Sequence, residues 1–183
     1  MPPKKQKTGD SNPSKSTMEF TLCYIKPDIT SQEEREKIMD DIQKSGFTIL
    51  YSVPFHFTKE NAEDFYREHK GKGFFENLVQ FTASNECLVL ILAKENAIQE
   101  FRKLIGPTNP IKAKEEAPET LRAKYGTEGP RNAVHGSDSQ ESYQREVELF
   151  DIWIPFKDQR TPFGLSLENF MCAENLHFSF CEV

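Results

Sequence analysis

Long apolar runs are missing from this chain. No stretch of its 183 residues approaches the roughly 18–20 apolar side chains that a helix needs to cross a bilayer, so no membrane span is expected. The amino terminus lacks the apolar stretch of a secretory signal. It has too little arginine, and too much proline and glycine, to read as an amphipathic transit peptide. Cys23, Cys87, Cys172 and Cys181 show no C-x-x-C or other metal-ligand spacing. Cys23 and Cys87 lie inside apolar runs and read as reduced core thiols, so an intracellular, reducing compartment is expected. Neither G-x-x-x-x-G-K-[ST] nor G-x-G-x-x-G occurs. Any phosphate site must therefore be made from side chains rather than from a glycine-rich backbone cradle. No internal repeat is visible.

What is present suits one compact α/β domain. Hydrophobic residues make up 37% of the chain and phenylalanine alone supplies 15, enough for an aromatic core. Four lysines against one aspartate carry +3 before Met18, which leaves −9 for the rest of a chain whose formal charge is −6. An acidic body is a poor non-specific partner for nucleic acid or an anionic membrane. No RNP-like aromatic pair with flanking basic residues appears, and no specific nucleic-acid partner is expected. Residues 1–17 are rich in Pro, Lys, Ser and Thr and read as a disordered basic tail. The domain is expected over 18–150. Residues 151–183 are aromatic but aperiodic, and read as an extension that wraps the domain or meets a partner.

Periodicity then sets the elements. Phe20 to Ile25 reads as a buried strand stopped by Pro27. Ser31-Gln32-Glu33-Glu34 has capping-box spacing before the helical stripe Ile38, Met39, Ile42, and Gly46 suits the position just past that helix. Phe47, Ile49, Tyr51, Val53, Phe55 and Phe57 alternate without a slip, as on one face of a strand. Helices are expected around Ala62–His69, Phe74–Phe81, Ala97–Ile105, Leu121–Arg122 and Asp138–Phe150, the last with Asp138 and Glu141 at capping spacing. Cys87–Leu92 reads as a central strand and Ala133–Val134 as a brief one, with a loop from Gly106 to about Pro118. This order fits an α+β, ferredoxin-like split βαβ sandwich, a four-stranded antiparallel sheet covered by helices.

Three places carry the chemistry. Lys26 stands where an apolar strand ends and Pro27 turns the chain, a position from which a lysine can meet phosphate. Arg102, Thr108, Arg122 and Arg131 are further phosphate candidates. His135 lies between a short apolar strand and the polar start of a helix, with Gly136 giving access and backbone freedom. A neutral imidazole is nucleophilic near pH 7 if a partner fixes its tautomer, and Glu141 and Glu146 on the following helix are candidates for that partner. His56 and His69 fit the outer faces of a strand and a helix.

The run Asn132 to Ser139 (Asn-Ala-Val-His-Gly-Ser-Asp-Ser) and the strand-ending Lys26-Pro27-Asp28 resemble the signatures of the nucleoside diphosphate kinase family, in the right order, over about Phe20 to Phe150. The resemblance implies a ping-pong kinase in which His135 accepts the γ-phosphoryl group. Glu146 would orient its ring and Ser137 would hydrogen-bond that carboxylate. Lys26 and Tyr66 would lie beside the phosphate in transit, and Arg102, Thr108 and Arg122 would hold the outer phosphates. Asn132, with Lys26, would meet the sugar hydroxyl, while Phe74 stacks on the base with Leu78 close by. It also implies nucleoside di- and triphosphates as ligands and Mg2+ held by nucleotide phosphates, with no metal ligand from the protein.

Departures from the family pattern are equally specific. Ile29 follows Asp28 where the family commonly has glycine, and the segment between Thr108 and Arg122 is a few residues longer than in the housekeeping enzymes. Residues 151–183 replace the segment that housekeeping hexamers use for packing. These features resemble the divergent branch, several of whose members are found in cilia and flagella. They imply axonemal or cytoskeletal protein partners for the extension and leave the homo-oligomeric state open. A weakly active or inactive nucleotide-binding structural subunit is the alternative to an active kinase.

Overall fold

The computed structural model describes residues 18–150. The readings made above for residues 1–17 and 151–183, including Cys172 and Cys181, lie outside it. Four strands form one antiparallel sheet: β1 (Met18–Ile25), β2 (Thr48–Phe55), β3 (Cys87–Glu95) and β4 (Val134–Gly136), in the spatial order β2-β3-β1-β4. That order and the all-antiparallel pairing are those of the ferredoxin-like sandwich read from the sequence.

β1 and β3 lie in the middle of the sheet, with cores on both faces, which is why they read as continuous apolar runs. Leu22, Tyr24, Val89 and Ile91 point to a core closed by α2 (Lys59–Phe65), α3 (Phe75–Thr82) and α7 (Gln140–Leu149). Cys23, Ile25, Leu90 and Leu92 point to a second core under α1 (Gln32–Lys44), α4 (Ala97–Ile105) and α6 (Leu121–Tyr125). Helix α1 begins as its sequence predicts. The Ser31 hydroxyl accepts from the Glu34 amide, Glu33 and Glu34 face the positive end of the helix, and Gly46 follows the Ser45 cap with φ +84°. Cys23 and Cys87 are free and buried, and burial pushes both thiols up, Cys87 to about 12.

Three local expectations are corrected. The alternation of β2 slips after all: Ile49 pairs with Leu92 and Tyr51 with Ile91, so Leu50 is an extra, bulged residue. Phe47 and Ile49 consequently pack into the core beneath α1 and α4, whereas Val53, Phe55 and Phe57 join the core on the other face. The expected loop after Gly106 contains a helix, α5 (Pro110–Glu116), in which Asn109 Oδ1 accepts from the Ile111 and Lys112 amides and Pro110 takes the first position. It buries only Pro110 and Ala113, too narrow a stripe to register as a period. The cap of α7 is Ser139, whose hydroxyl accepts from the Ser142 amide, and not Asp138. Ile29, which stands where the family commonly has glycine, needs no left-handed backbone. Its amide closes a turn onto the Lys26 carbonyl at 3.0 Å and its side chain is buried among Ile38, Ile42 and their neighbours.

Candidate active site

One cleft of about 620 Å³ gathers side chains from both halves of the sequence. Its floor is the end of β1 and the short strand β4. The Lys26 amide donates to the Ala133 carbonyl at 2.8 Å, and the Ala133 amide donates to Asp28 Oδ2 at 3.1 Å. This double clasp holds Ala133 at φ +64°, a left-handed conformation unusual for a residue with a Cβ, two positions before His135. Burial raises the pKa of the Asp28 carboxyl, against the favourable amide of Ala133 and the charge of Lys26. Lys-Pro-Asp thus fixes the backbone entering β4 as well as presenting an ammonium group.

The His135 ring is held on several sides. Nε2 lies 3.1 Å from Glu146 Oε1, and the other carboxylate oxygen accepts from the Ser137 hydroxyl at 2.6 Å. Of the two carboxylates considered for this task, only Glu146 reaches the ring. A buried carboxylate with two hydrogen-bond donors fixes the tautomer with the proton on Nε2, which leaves the lone pair on Nδ1. Tyr24 stacks on the imidazole (centroids 5.2 Å apart, planes at 23°), and Phe65 meets it edge-on at 5.0 Å. The side chain keeps 19% of its surface open and lines the cleft. Gly136 is not there for backbone freedom, since its φ is not positive. A Cβ at that position would come within 2.6 Å of Phe101 Cδ1. Its lack of a side chain lets α4 sit close enough for Arg102 to donate to the Gly136 carbonyl at 3.3 Å.

Three cations converge near this ring, and each takes backbone carbonyls as partners. Lys26 Nζ donates to the Pro130 carbonyl at 3.3 Å. Arg122 donates from Nε and Nη2 to the Val134 carbonyl, both at 3.2 Å, and from Nη1 to Gly106 at 3.0 Å. Burial, and then the Arg122 charge, lower Lys26 from the usual 10.5 to about 7. Burial, and then the Arg102 charge, bring Arg122 to about 10. Positive charge packed this tightly, with backbone carbonyls as its hydrogen-bond partners, favours an anion. Asn132 lines the cleft, donating from Nδ2 to the Thr108 carbonyl at 2.8 Å, while its Oδ1 lacks a protein partner. At the open end Phe74 is 52% exposed beside Leu78, an aromatic face set out toward solvent.

The structure therefore brings together Lys26, Tyr66, Phe74, Leu78, Arg102, Thr108, Arg122, Asn132, His135 and Glu146, with Ser137 bonded behind them. Arg131 is not among them; its guanidinium lies over the Phe81 ring at 5.8 Å. His69 is not an outer-face residue, because it lines the cleft, stacks on Tyr66 and meets Phe74 edge-on. Glu68 and Arg145, joined as an ion pair at the rim, and Tyr24 escaped sequence reasoning. Nothing in their spacing signals them, since each acts across elements that only the fold apposes.

Known proteins resemble the chain over its described residues. The family model of nucleoside diphosphate kinase matches residues 19–153. The nucleoside diphosphate kinase of Actinobacillus pleuropneumoniae serotype 3 is 43% identical over 130 residues, covering 71% of this chain and 92% of that one. The Mus musculus nucleoside diphosphate kinase homolog 5 is also 43% identical over 130 residues, 71% of this chain and 61% of that one. Thioredoxin domain-containing protein 6 of Xenopus laevis is 44% identical over 132 residues, 72% of this chain but only 21% of that longer protein. Among solved structures, the nucleoside diphosphate kinase of Aquifex aeolicus superposes with a TM-score of 0.71 at 38% identity, covering 75% of this chain and 97% of that one. The Halobacterium salinarum enzyme in complex with CDP gives 0.66 at 29% identity, over 72% and 86% of the two chains.

Proposed function

The chain belongs to the nucleoside diphosphate kinase family, and on that premise we propose that it moves the γ-phosphoryl group of a nucleoside triphosphate to a nucleoside diphosphate through a phosphohistidine at His135. The observation that carries this reading is the chain Ser137–Glu146–His135, which ties up Nε2 and turns the Nδ1 lone pair into a nucleophile. Nδ1 attacks the γ-phosphorus, the bond to the β-bridging oxygen breaks, and the diphosphate leaves with that electron pair. The imidazole gains positive charge, which Glu146 offsets. A second diphosphate then takes the group by the reverse route.

Lys26, Arg102 and Arg122 act on the oxygens of the group in flight, where charge stabilisation supplies most of the rate in phosphoryl transfer. Thr108 holds outer phosphates with the two arginines. Asn132, with its unpaired Oδ1, and Lys26 meet a sugar hydroxyl, and Phe74 with Leu78 receives the base. Stacking that reads few base edges suits a catalyst that accepts any base. Magnesium would be held by the phosphates of the nucleotide. The phosphate end of the cleft is lined by Lys26, Arg102 and Arg122, which suits a metal carried on the phosphates rather than one held by protein carboxylates. Bound there, it would offset phosphate charge.

The depressed Lys26 makes binding depend on pH. A phosphate beside the amine favours its protonated form and raises its pKa above about 7. Binding at pH 8 should therefore take up roughly one proton, and affinity for a nucleoside diphosphate should fall as pH rises from 7, by up to about tenfold per unit. Calorimetry in buffers of different ionisation enthalpy measures this uptake, and Lys26→Met should abolish it. Stability without ligand has the opposite linkage to that of a paired lysine. The unfolded chain binds the proton more readily between about 7 and 10.5, so folding strengthens as pH rises through that window.

The test of the reading is incubation of the protein with γ-labelled ATP and magnesium, followed by GDP. An acid-labile, alkali-stable label that chases into GTP establishes transfer. Bound ATP with no label would favour the alternative, a nucleotide-binding subunit of an axonemal or other assembly, with residues 151–183 meeting its partner.

A further inference from the structure

Tyr24 is the residue whose placement the proposed chemistry leaves unexplained. It is fully buried in β1, one position before the end of the strand, and is the cross-strand partner of His135. A core position here needs only an apolar side chain, and Phe57 and Phe65 meet its ring at 5.7 and 5.5 Å. A phenol costs more, because its hydroxyl must be satisfied away from water. That hydroxyl makes a short hydrogen bond to the hydroxyl of Tyr66, which lines the cleft. The Tyr66 hydroxyl lies within the electrostatic reach of both Glu146 and Arg122.

Two hydroxyls sharing one hydrogen bond can be ordered in two ways. If Tyr66 donates to Tyr24, its oxygen can only accept from the cleft and repels a phosphoryl oxygen. If Tyr24 donates to Tyr66, the Tyr66 proton is free to point into the cleft as a donor. Burial raises both phenols, Tyr66 to about 12, so each keeps its proton at neutral pH. The remaining polar group beside the pair is Thr82, whose buried hydroxyl lies close enough to both phenols to reach either. By donating to the Tyr24 oxygen it would run the chain in the same sense, Thr82 to Tyr24 to Tyr66 to phosphate. An anion in the cleft selects this order, because only this order offers it a donor.

From these contacts we infer that Tyr24 is a positioning residue for phosphoryl transfer, donating to the Tyr66 hydroxyl so that the Tyr66 proton points at the phosphoryl group in flight. The inference rests on the kinase reading above. It assigns Tyr24 no contact with substrate; Tyr66 makes that contact.

Tyr24→Phe removes the donor and keeps the ring stacked on His135 and edge-on to Phe65, so the fold is retained. The decisive measurement is a double-mutant cycle of Tyr24→Phe and Tyr66→Phe, read as the single-turnover rate of His135 phosphorylation by ATP and, separately, as ADP affinity. Tyr24→Phe should slow phosphorylation roughly tenfold, the scale of a hydrogen bond to a charged group, with ADP affinity unchanged. The double variant should be no slower than Tyr66→Phe alone. A Tyr24→Phe protein that phosphorylates at the parent rate overturns the inference, as does a double variant whose two losses multiply. A parent protein that binds ADP but takes no label overturns the kinase reading itself, and this inference with it, before any variant is compared.

Discussion

His135→Ala should lower phosphoryl transfer by about 10⁴-fold or more, the usual consequence of deleting a covalent nucleophile, while ADP binding stays within a few-fold of the parent. The two readouts separate because the ring and the binding groups are attached differently. The cations rest on carbonyls of Pro130, Gly136, Val134 and Gly106, all of which survive the substitution. Filter binding of ADP beside the labelled-ATP assay checks both. Substantial transfer by the alanine protein would move the nucleophile elsewhere and sink the role given to the Ser137–Glu146 pair.

Arg122→Met should show nearly the reverse balance between stability and activity from that expected of an ordinary buried arginine. Two carbonyls lose their donors, which costs about 1–3 kcal/mol for each acceptor left unsatisfied. Against that, a cation whose pKa is already pulled down to about 10 no longer has to be desolvated beside Arg102 and Lys26. The two effects oppose one another, and a net loss of only about 1 kcal/mol is expected in urea denaturation. Transfer, in contrast, should fall roughly 10²–10³-fold, as when one preorganised donor is removed from a charge-stabilising site. Lys26 should also rise from about 7, since Arg122 is the main charge depressing it, and the proton uptake on ADP binding at pH 8 should shrink. A loss of stability with transfer intact would mean that Arg122 is only a structural tie between α6 and β4.

Much of the fold was legible in the sequence, for identifiable reasons. β1 and β3 are buried on both faces, so their apolar runs admit few other readings. α1 carries its cap, its first-turn acids and its terminal glycine in the linear order of residues. The site was legible through two short stretches, Lys26–Asp28 and Asn132–Ser139, because one backbone clasp joins them. What could not be read depends on register. Whether Glu141 or Glu146 meets the imidazole follows from the rotation of α7, set by a cap at Ser139 rather than Asp138. Tyr24 meets His135 only because β1 pairs with β4 one way and not one residue over. His69 looks like a surface histidine until α3 brings Phe74 beside it. α5 hid because two buried side chains make no period.

The bulge at Leu50 lets one unbroken alternation of sequence serve two layers. Ile49 and Tyr51 already pair with adjacent residues of β3, so losing Leu50 alone would close the ladder and leave both halves of the strand in their own layers. A ladder made regular with Leu50 retained would not: either Phe47 and Ile49 would leave the helices α1 and α4, or Val53, Phe55 and Phe57 would leave α2 and α7. Substitutions along β2 are graded changes in packing, whereas ironing out the bulge turns half a strand inside out. This edge strand carries one residue more than its pairing needs, and that surplus decides which layer each half serves.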